Sequence, residues 1–130
     1  MIDHISIRIS DIKKSSAFYE AALGAIGYKK LGVFDGAVGF AVGSPEDNSG
    51  SVWIVQEGKD EPCTKNIHLA FGVSNVEAVK KFYDAAIAAG GRDNGAPAPC
   101  PEYSENYYGG FVLDLDDNNI EATTYLKSGF

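Results

Sequence analysis

Positive charge is scarce in this chain: eleven Lys and Arg stand against eighteen Asp and Glu, a formal net charge of −7. A nucleic-acid backbone is gripped by a basic face, so no nucleic-acid partner is expected. Long apolar runs are missing too. None approaches the roughly 20 residues that span a bilayer, and the strand pattern starts at residue 2 with no basic leader or apolar stretch before it. A soluble, cytoplasmic protein without a membrane partner is the expectation. Cysteine is limited to Cys63 and Cys100, each beside a proline and neither in a CxxC or other metal-like spacing. Both read as free thiols in a reducing compartment.

Histidine is rarer still, with only His4 and His68, and each heads a strand-like run: DHISIRIS and NIHLAFGVS. Sixty-four residues separate the two, and the same offset carries Ser10-Asp11-Ile12 onto Ser74-Asn75-Val76 and Gly27 onto Gly91. It also carries Phe18-Tyr19-Glu20-Ala21-Ala22-Leu23 onto Phe82-Tyr83-Asp84-Ala85-Ala86-Ile87. Agreement spread over caps, aromatics and helix-ending glycines marks a duplicated module. At 130 residues and 45% hydrophobic side chains, the chain can bury one good core but not two independent ones. One domain over residues 1–130 is expected, with module 1 about 1–60 and module 2 about 65–130.

Each copy opens with a period-two strand, residues 2–9 and 66–73, whose odd positions are apolar: Ile5, Ile7 and Ile9 against Leu69, Phe71 and Val73. Ser10 or Asp11, and Ser74 or Asn75, are N-cap candidates. The stripes Ile12, Ser16, Tyr19, Leu23, Ile26 and Val76, Val79, Tyr83, Ala86, Ile87 then fit helices that stop at Gly24, Gly27, Gly90 and Gly91. Strands near 28–34, 37–42 and 51–57 follow the first helix, and FVLDLD and IEATTYL follow the second around the turn DDNN. The fold class is therefore α+β: two βαβββ modules pairing into a cleft-forming open sheet or half-barrel. Each helix covers one sheet face, so the other must turn toward the second module or toward a partner chain. Side-chain alternation sends His4, Ser6 and Arg8, with His68, Ala70 and Gly72, to that uncovered face.

Two imidazoles alone rarely hold a divalent ion. Glu121, the only carboxylate within the otherwise neutral strand Ile120–Tyr125, is the candidate to complete a site, since burying it uncompensated is costly. Tyr103, Tyr107 and Tyr108, in a loop rich in proline and tyrosine, together with Trp53 and Arg8, are candidates to contact a ligand; Arg8 offers a bidentate grip on an anionic group. No side chain presents itself as the catalytic base.

These segments, IDHISIRISDIKKSSAFYEAALGAIGY, IHLAF and NYYGGFVLDLDDNNIEATTY, resemble the vicinal oxygen chelate superfamily, which includes glyoxalases, bleomycin-resistance proteins and extradiol dioxygenases. The resemblance implies paired βαβββ modules and a divalent metal ion (Mn, Ni, Zn, Co or Fe) held by His4, His68 and Glu121. It also implies a lyase, isomerase or transferase acting on a small organic substrate, often in a homodimer that can exchange modules between chains. A metal-free sequestering protein and a non-haem iron dioxygenase are the alternatives it carries. Glyoxalase I itself has a further glutamate on the last strand of the first module. Trp53 or Ile54 stands there in this chain, so the resemblance points to an enzyme other than glyoxalase I.

Overall fold

The computed structural model describes residues 1–44 and 46–126. In chain order these form β1 (His4–Ile9), α1 (Ile12–Gly24), β2 (Lys29–Phe34), β3 (Ala37–Ala41) and β4 (Ser51–Gln56). The second half repeats the plan as β5 (His68–Gly72), α2 (Val76–Ala88), β6 (Arg92–Asp93), β7 (Ala98–Pro99), β8 (Tyr107–Leu113) and β9 (Asn119–Tyr125). The first sheet runs β1-β4-β3-β2 and the second β5-β9-β8-β6, with β7 also paired to β8. In both, the strand before the helix lies parallel to the last strand of its module. The sheets are not hydrogen-bonded to each other, and no closed barrel forms among the described residues.

The second module departs from the expected pattern between α2 and β8. In place of one strand the chain makes two two-residue strands, β6 and β7. Pro97, Pro99 and Pro101 lack the N–H that a continuous ladder needs, and Gly95 at φ 140° supplies a turn. The segment therefore touches the edge of β8 twice and bulges between.

Both helices start where the side chain competes best for a free N–H: Asp11 accepts from the Lys14 amide at 3.1 Å and Asn75 from the Ala78 amide at 2.8 Å. Of the paired N-cap candidates, the second of each pair takes the role. The glycines that follow carry φ of 98° at Gly27 and 105° at Gly90, a conformation open to them at little steric cost.

The buried helix faces are broader than the sequence stripes. In α1 they include Ser15, Phe18 and Ala22 beside Tyr19 and Leu23, and in α2 they include Phe82. The reason is tertiary: α1 and α2 pack on one another as well as on their own sheets. One core accordingly draws Ile7, Ile9, Phe18, Val38, Phe40, Val52 and Ile54 together with Phe71, Val79, Phe82, Val112 and Ile120. Strand parity behaves as expected, with Ile7 and Ile9 buried under α1 while His4 and Ser6 stay exposed.

Gly91 sits where α1 of the first module meets the core of the second. A Cβ there would lie 2.4 Å from Val112 Cγ1, 2.8 Å from Phe18 Cε1 and 2.9 Å from the Ala86 carbonyl oxygen. Two of these neighbours are packed core side chains and the third is backbone, so none yields freely. Gly91→Ala is expected to lower stability by about 3 kcal/mol through overpacking, read as a shift of the urea midpoint. An unchanged midpoint would mean the two modules adjust to each other freely.

Candidate functional site

The uncovered face of the second sheet is built by register. On the parallel β5–β9 ladder His68 lies opposite Asn119 and Ala70 opposite Glu121, so His68 and Glu121 share a face one residue pair apart. Antiparallel β8 adds Tyr107, Gly109 and Phe111 to that face. The result is a hydrogen-bonded chain. His68 Nε2 meets Glu121 Oε1 at 2.8 Å, and the Tyr107 hydroxyl donates to Glu121 Oε2 at 2.5 Å.

Glu121 is 1% exposed, and each of its oxygens has one of these partners. A buried carboxylate without them would be strongly disfavoured. Its place also depends on Gly109, where a Cβ would come within 2.7 Å of Glu121 Oε2. Burial, and then the hydrogen bond to Glu121, push the Tyr107 phenol up to about 12. Tyr107 is thus a neutral donor at physiological pH, which suits it to hold the carboxylate rather than to act as a base.

Around this chain stand aromatic rings. Tyr103 packs on Tyr107 and Phe111 at centroid distances of 5.2 and 6.2 Å, and His68 lies 6.1 Å from Phe111. Tyr103 brings the proline- and tyrosine-rich loop against the Tyr107 and Phe111 rings. Tyr108 does not belong to this face. As the neighbour of Tyr107 on a strand it points to the other side, where it is 8% exposed in the core. Its assignment as a ligand contact is corrected by that parity.

On the first sheet His4 is exposed, with Nδ1 at 2.8 Å from Asp3 Oδ1. Among the described residues no group of three or more His, Cys, Asp or Glu side chains comes together to hold a metal ion. One chain thus unites His68 with Glu121 but does not bring His4 to them. Arg8 forms an ion pair with Glu61, and its amide donates to Thr64 Oγ1 at 2.8 Å. Its guanidinium is engaged within the fold.

Register also resolves which residue replaces the second glutamate. On the β1–β4 ladder His4 lies opposite Ser51 and Ser6 opposite Trp53, as His68 lies opposite Asn119 and Ala70 opposite Glu121 on the β5–β9 ladder. Trp53 is therefore the repeat equivalent of Glu121. Ile54 points the other way and is 0% exposed under α1. The link between Tyr107 and Glu121 escaped the sequence reading, although their matching parity across β8 and β9 was its available signal.

A family model described as the Glyoxalase/Bleomycin resistance protein/Dioxygenase superfamily matches residues 1–122. The chain belongs to this superfamily. Solved glyoxalase-superfamily structures agree in fold. A glyoxalase/bleomycin resistance protein from Albidiferax ferrireducens T118 superposes with a TM-score of 0.83 at 25% identity, covering 95% of this chain and 98% of that one. A glyoxalase/bleomycin resistance protein/dioxygenase family enzyme from Burkholderia phytofirmans PsJN gives 0.73 at 21% identity, with coverages of 95% and 98%. A glyoxalase-related enzyme from Fulvimarina pelagi gives 0.73 at 17% identity, covering 95% and 87%. No curated protein matches the chain. No helix among the described residues of this superfamily member is long and apolar enough to cross a membrane.

Proposed function

We propose that this glyoxalase-superfamily member is a metal-dependent enzyme of the lyase, isomerase or transferase kind. Its site forms between two copies of the chain, with His68 and Glu121 from one and His4 from the other. The observation that carries the reading is the His68–Glu121 pair, 2.8 Å apart on an uncovered sheet face with a carboxylate that is 1% exposed. Two imidazoles and a carboxylate suit borderline divalent ions and leave coordination positions open. The space above Gly109 already accommodates the carboxylate. Within one chain only His68 of the two imidazoles reaches Glu121, which is the reason for invoking a second copy.

A divalent ion there would act as a Lewis acid on adjacent oxygens of a small organic substrate. The chain's own residues have simpler tasks. Tyr107 fixes the Glu121 carboxylate from behind, and Phe111 and Tyr103 wall the approach to His68. A metal-free binding protein is the second reading, favoured by Trp53 in the place of a carboxylate and by a Glu121 that His68 and Tyr107 already satisfy.

Elemental analysis of protein purified without a metal-affinity tag, paired with light scattering, tests the proposal. About one ion per chain in a dimer is expected. His68→Ala should weaken metal binding by at least about 100-fold, since even outer partners of metal ligands are worth about 10–100-fold. No uptake of Mn, Fe, Co, Ni or Zn by a folded dimer would leave the binding-protein reading standing.

A further inference from the structure

Between β6 and β8 the proline-rich segment stands off the sheet and encloses a cavity of about 380 Å³. Its floor is Phe111 and Asn119, which share strand parity with Tyr107 and Glu121, and its wall runs along the loop from Asn94 to Tyr103. Backbone bonds tie that wall to β8: the Asn94 amide donates to the Phe111 carbonyl at 3.0 Å, the Phe111 amide to the Gly95 carbonyl at 2.8 Å, and the Cys100 amide to the Tyr107 carbonyl at 2.7 Å. Asp93 Oδ1 accepts from the Gly95 amide at 2.9 Å, and Pro97, Pro99 and Pro101 stiffen the span between. The cavity is therefore preformed, which lowers the cost of binding.

Asn119 is the unusual member of this lining. Its Oδ1 is buried and has no hydrogen-bond partner, and among the described residues no other buried side-chain nitrogen or oxygen is left so. The repeat sharpens the contrast. Asn119 stands opposite His68 as Ser51 stands opposite His4, and Ser51 Oγ accepts from the Trp53 indole at 3.1 Å. Duplication thus satisfied this position within the first module and left it open in the second. A buried acceptor without a donor is disfavoured. No bond holds the Asn119 oxygen where it is, and the torsion that turns an Asn amide is soft, so Oδ1 can swing toward a donor in the cavity.

We infer that this cavity takes an N–H-donating arm of the substrate, a carboxamide or an ammonium group, with Asn119 Oδ1 as its acceptor. The inference rests on the reading above that the substrate lies on the uncovered face of the second sheet, and it names a substrate class. Charge points the same way. Glu102 is the one charged side chain in the lining, Arg92 just before the loop is paired with Asp117, and His68 on the far side of Phe111 is taken by Glu121. A carboxylate arm would meet Glu102 and no unpaired cation, whereas an N–H donor meets two acceptors.

The test uses four probes on one apolar body: cyclohexanecarboxamide, cyclohexylmethylammonium, cyclohexanecarboxylate and N,N-dimethylcyclohexanecarboxamide, which keeps the carbonyl but has no N–H. Each is titrated into EDTA-treated, ¹⁵N-labelled protein, following the Asn119 side-chain amide signals, which are assigned by their loss in Asn119→Leu. The carboxamide and the ammonium are expected to bind with a Kd about 10-fold below those of the carboxylate and the dimethylamide. Asn119→Leu, close in shape but without the acceptor, should weaken both about 10-fold, and Glu102→Gln should weaken the ammonium alone. Equal affinity for the carboxamide and its dimethyl derivative, tighter binding of the carboxylate, no saturable shift with any probe, or an unchanged Kd in a folded Asn119→Leu variant would each overturn the assignment. The comparison of the two amides on wild type stands even if the variant fails to fold. Because the titrations run without metal, a failed metal measurement leaves this result intact, and the reverse holds too.

Discussion

Replacing Asp114 with alanine is expected to destabilise the protein by about 4 kcal/mol, near the cost of breaking a buried charged partnership, and to lower its melting point by about 15 °C. Asp114 is 2% exposed at the end of β8 and accepts from the Asp116 and Asn118 amides at 2.9 and 2.8 Å. It also takes the hydroxyl of Tyr19, from α1 of the other module, at 2.5 Å. One carboxylate therefore shapes the turn into β9 and latches the two modules together. Alanine leaves the Tyr19 hydroxyl buried without its acceptor, in a ring that is 0% exposed, and strips two turn amides of theirs. Tyr19→Phe is the comparison. It removes one donor and keeps the turn, so about 1–2 kcal/mol is expected.

The same pair sets an alkaline limit. Burial first, and then the neighbouring Asp114 carboxylate, hold the Tyr19 phenol well above its ordinary value. The folded state thus favours the neutral phenol. Its contribution to stability is complete below the unfolded tyrosine value of about 10 and is lost as pH rises beyond it. Thermal melts of Tyr19→Phe should accordingly fall less steeply than those of wild type above about pH 10. If Asp114→Ala and Tyr19→Phe melt within a degree or so of wild type, the latch contributes nothing.

A carboxylate introduced at Trp53 should have the largest functional effect. Trp53→Glu places a second glutamate at the register position that Glu121 occupies beside His68, now beside His4. If the interchain metal site is correct, turnover of the methylglyoxal–glutathione hemithioacetal should rise by about 100-fold or more over a weak wild-type level, the scale of a placed general base. Ile54→Glu, one residue along, should instead unfold the chain, because Ile54 is 0% exposed in the core and a carboxylate there would be uncompensated. Steady-state kinetics and circular dichroism of the two variants read both outcomes. A folded Ile54→Glu, or a Trp53→Glu that binds metal and remains inactive, would count against this register or against the role given to the missing glutamate.

Much of the architecture was legible because duplication wrote it twice. Period-two alternation marked β1 and β5, and Asp11 and Asn75 announced the helices by the chemistry of their side chains. The faces of Phe18 and Phe82 were harder to see, since they depend on α1 meeting α2, a contact with no local signature. The short strands after α2 have no local signature for a related reason: three prolines permit only brief pairing at an edge, and where that edge lies is set by β8.

By itself the sequence determined the modular repeat, the parity of each strand, and hence that His4, His68 and Glu121 belong to uncovered sheet faces. Those properties follow from side-chain alternation and local capping, which act within a few residues. Only the tertiary structure decided that Tyr107 holds Glu121, that Tyr108 serves the core, and that Trp53 rather than Ile54 is the counterpart of Glu121. It also decided that one chain keeps His4 away from the other two. Each of these depends on ladder register or on how two sheets are carried by packed helices, relations between segments far apart in the chain.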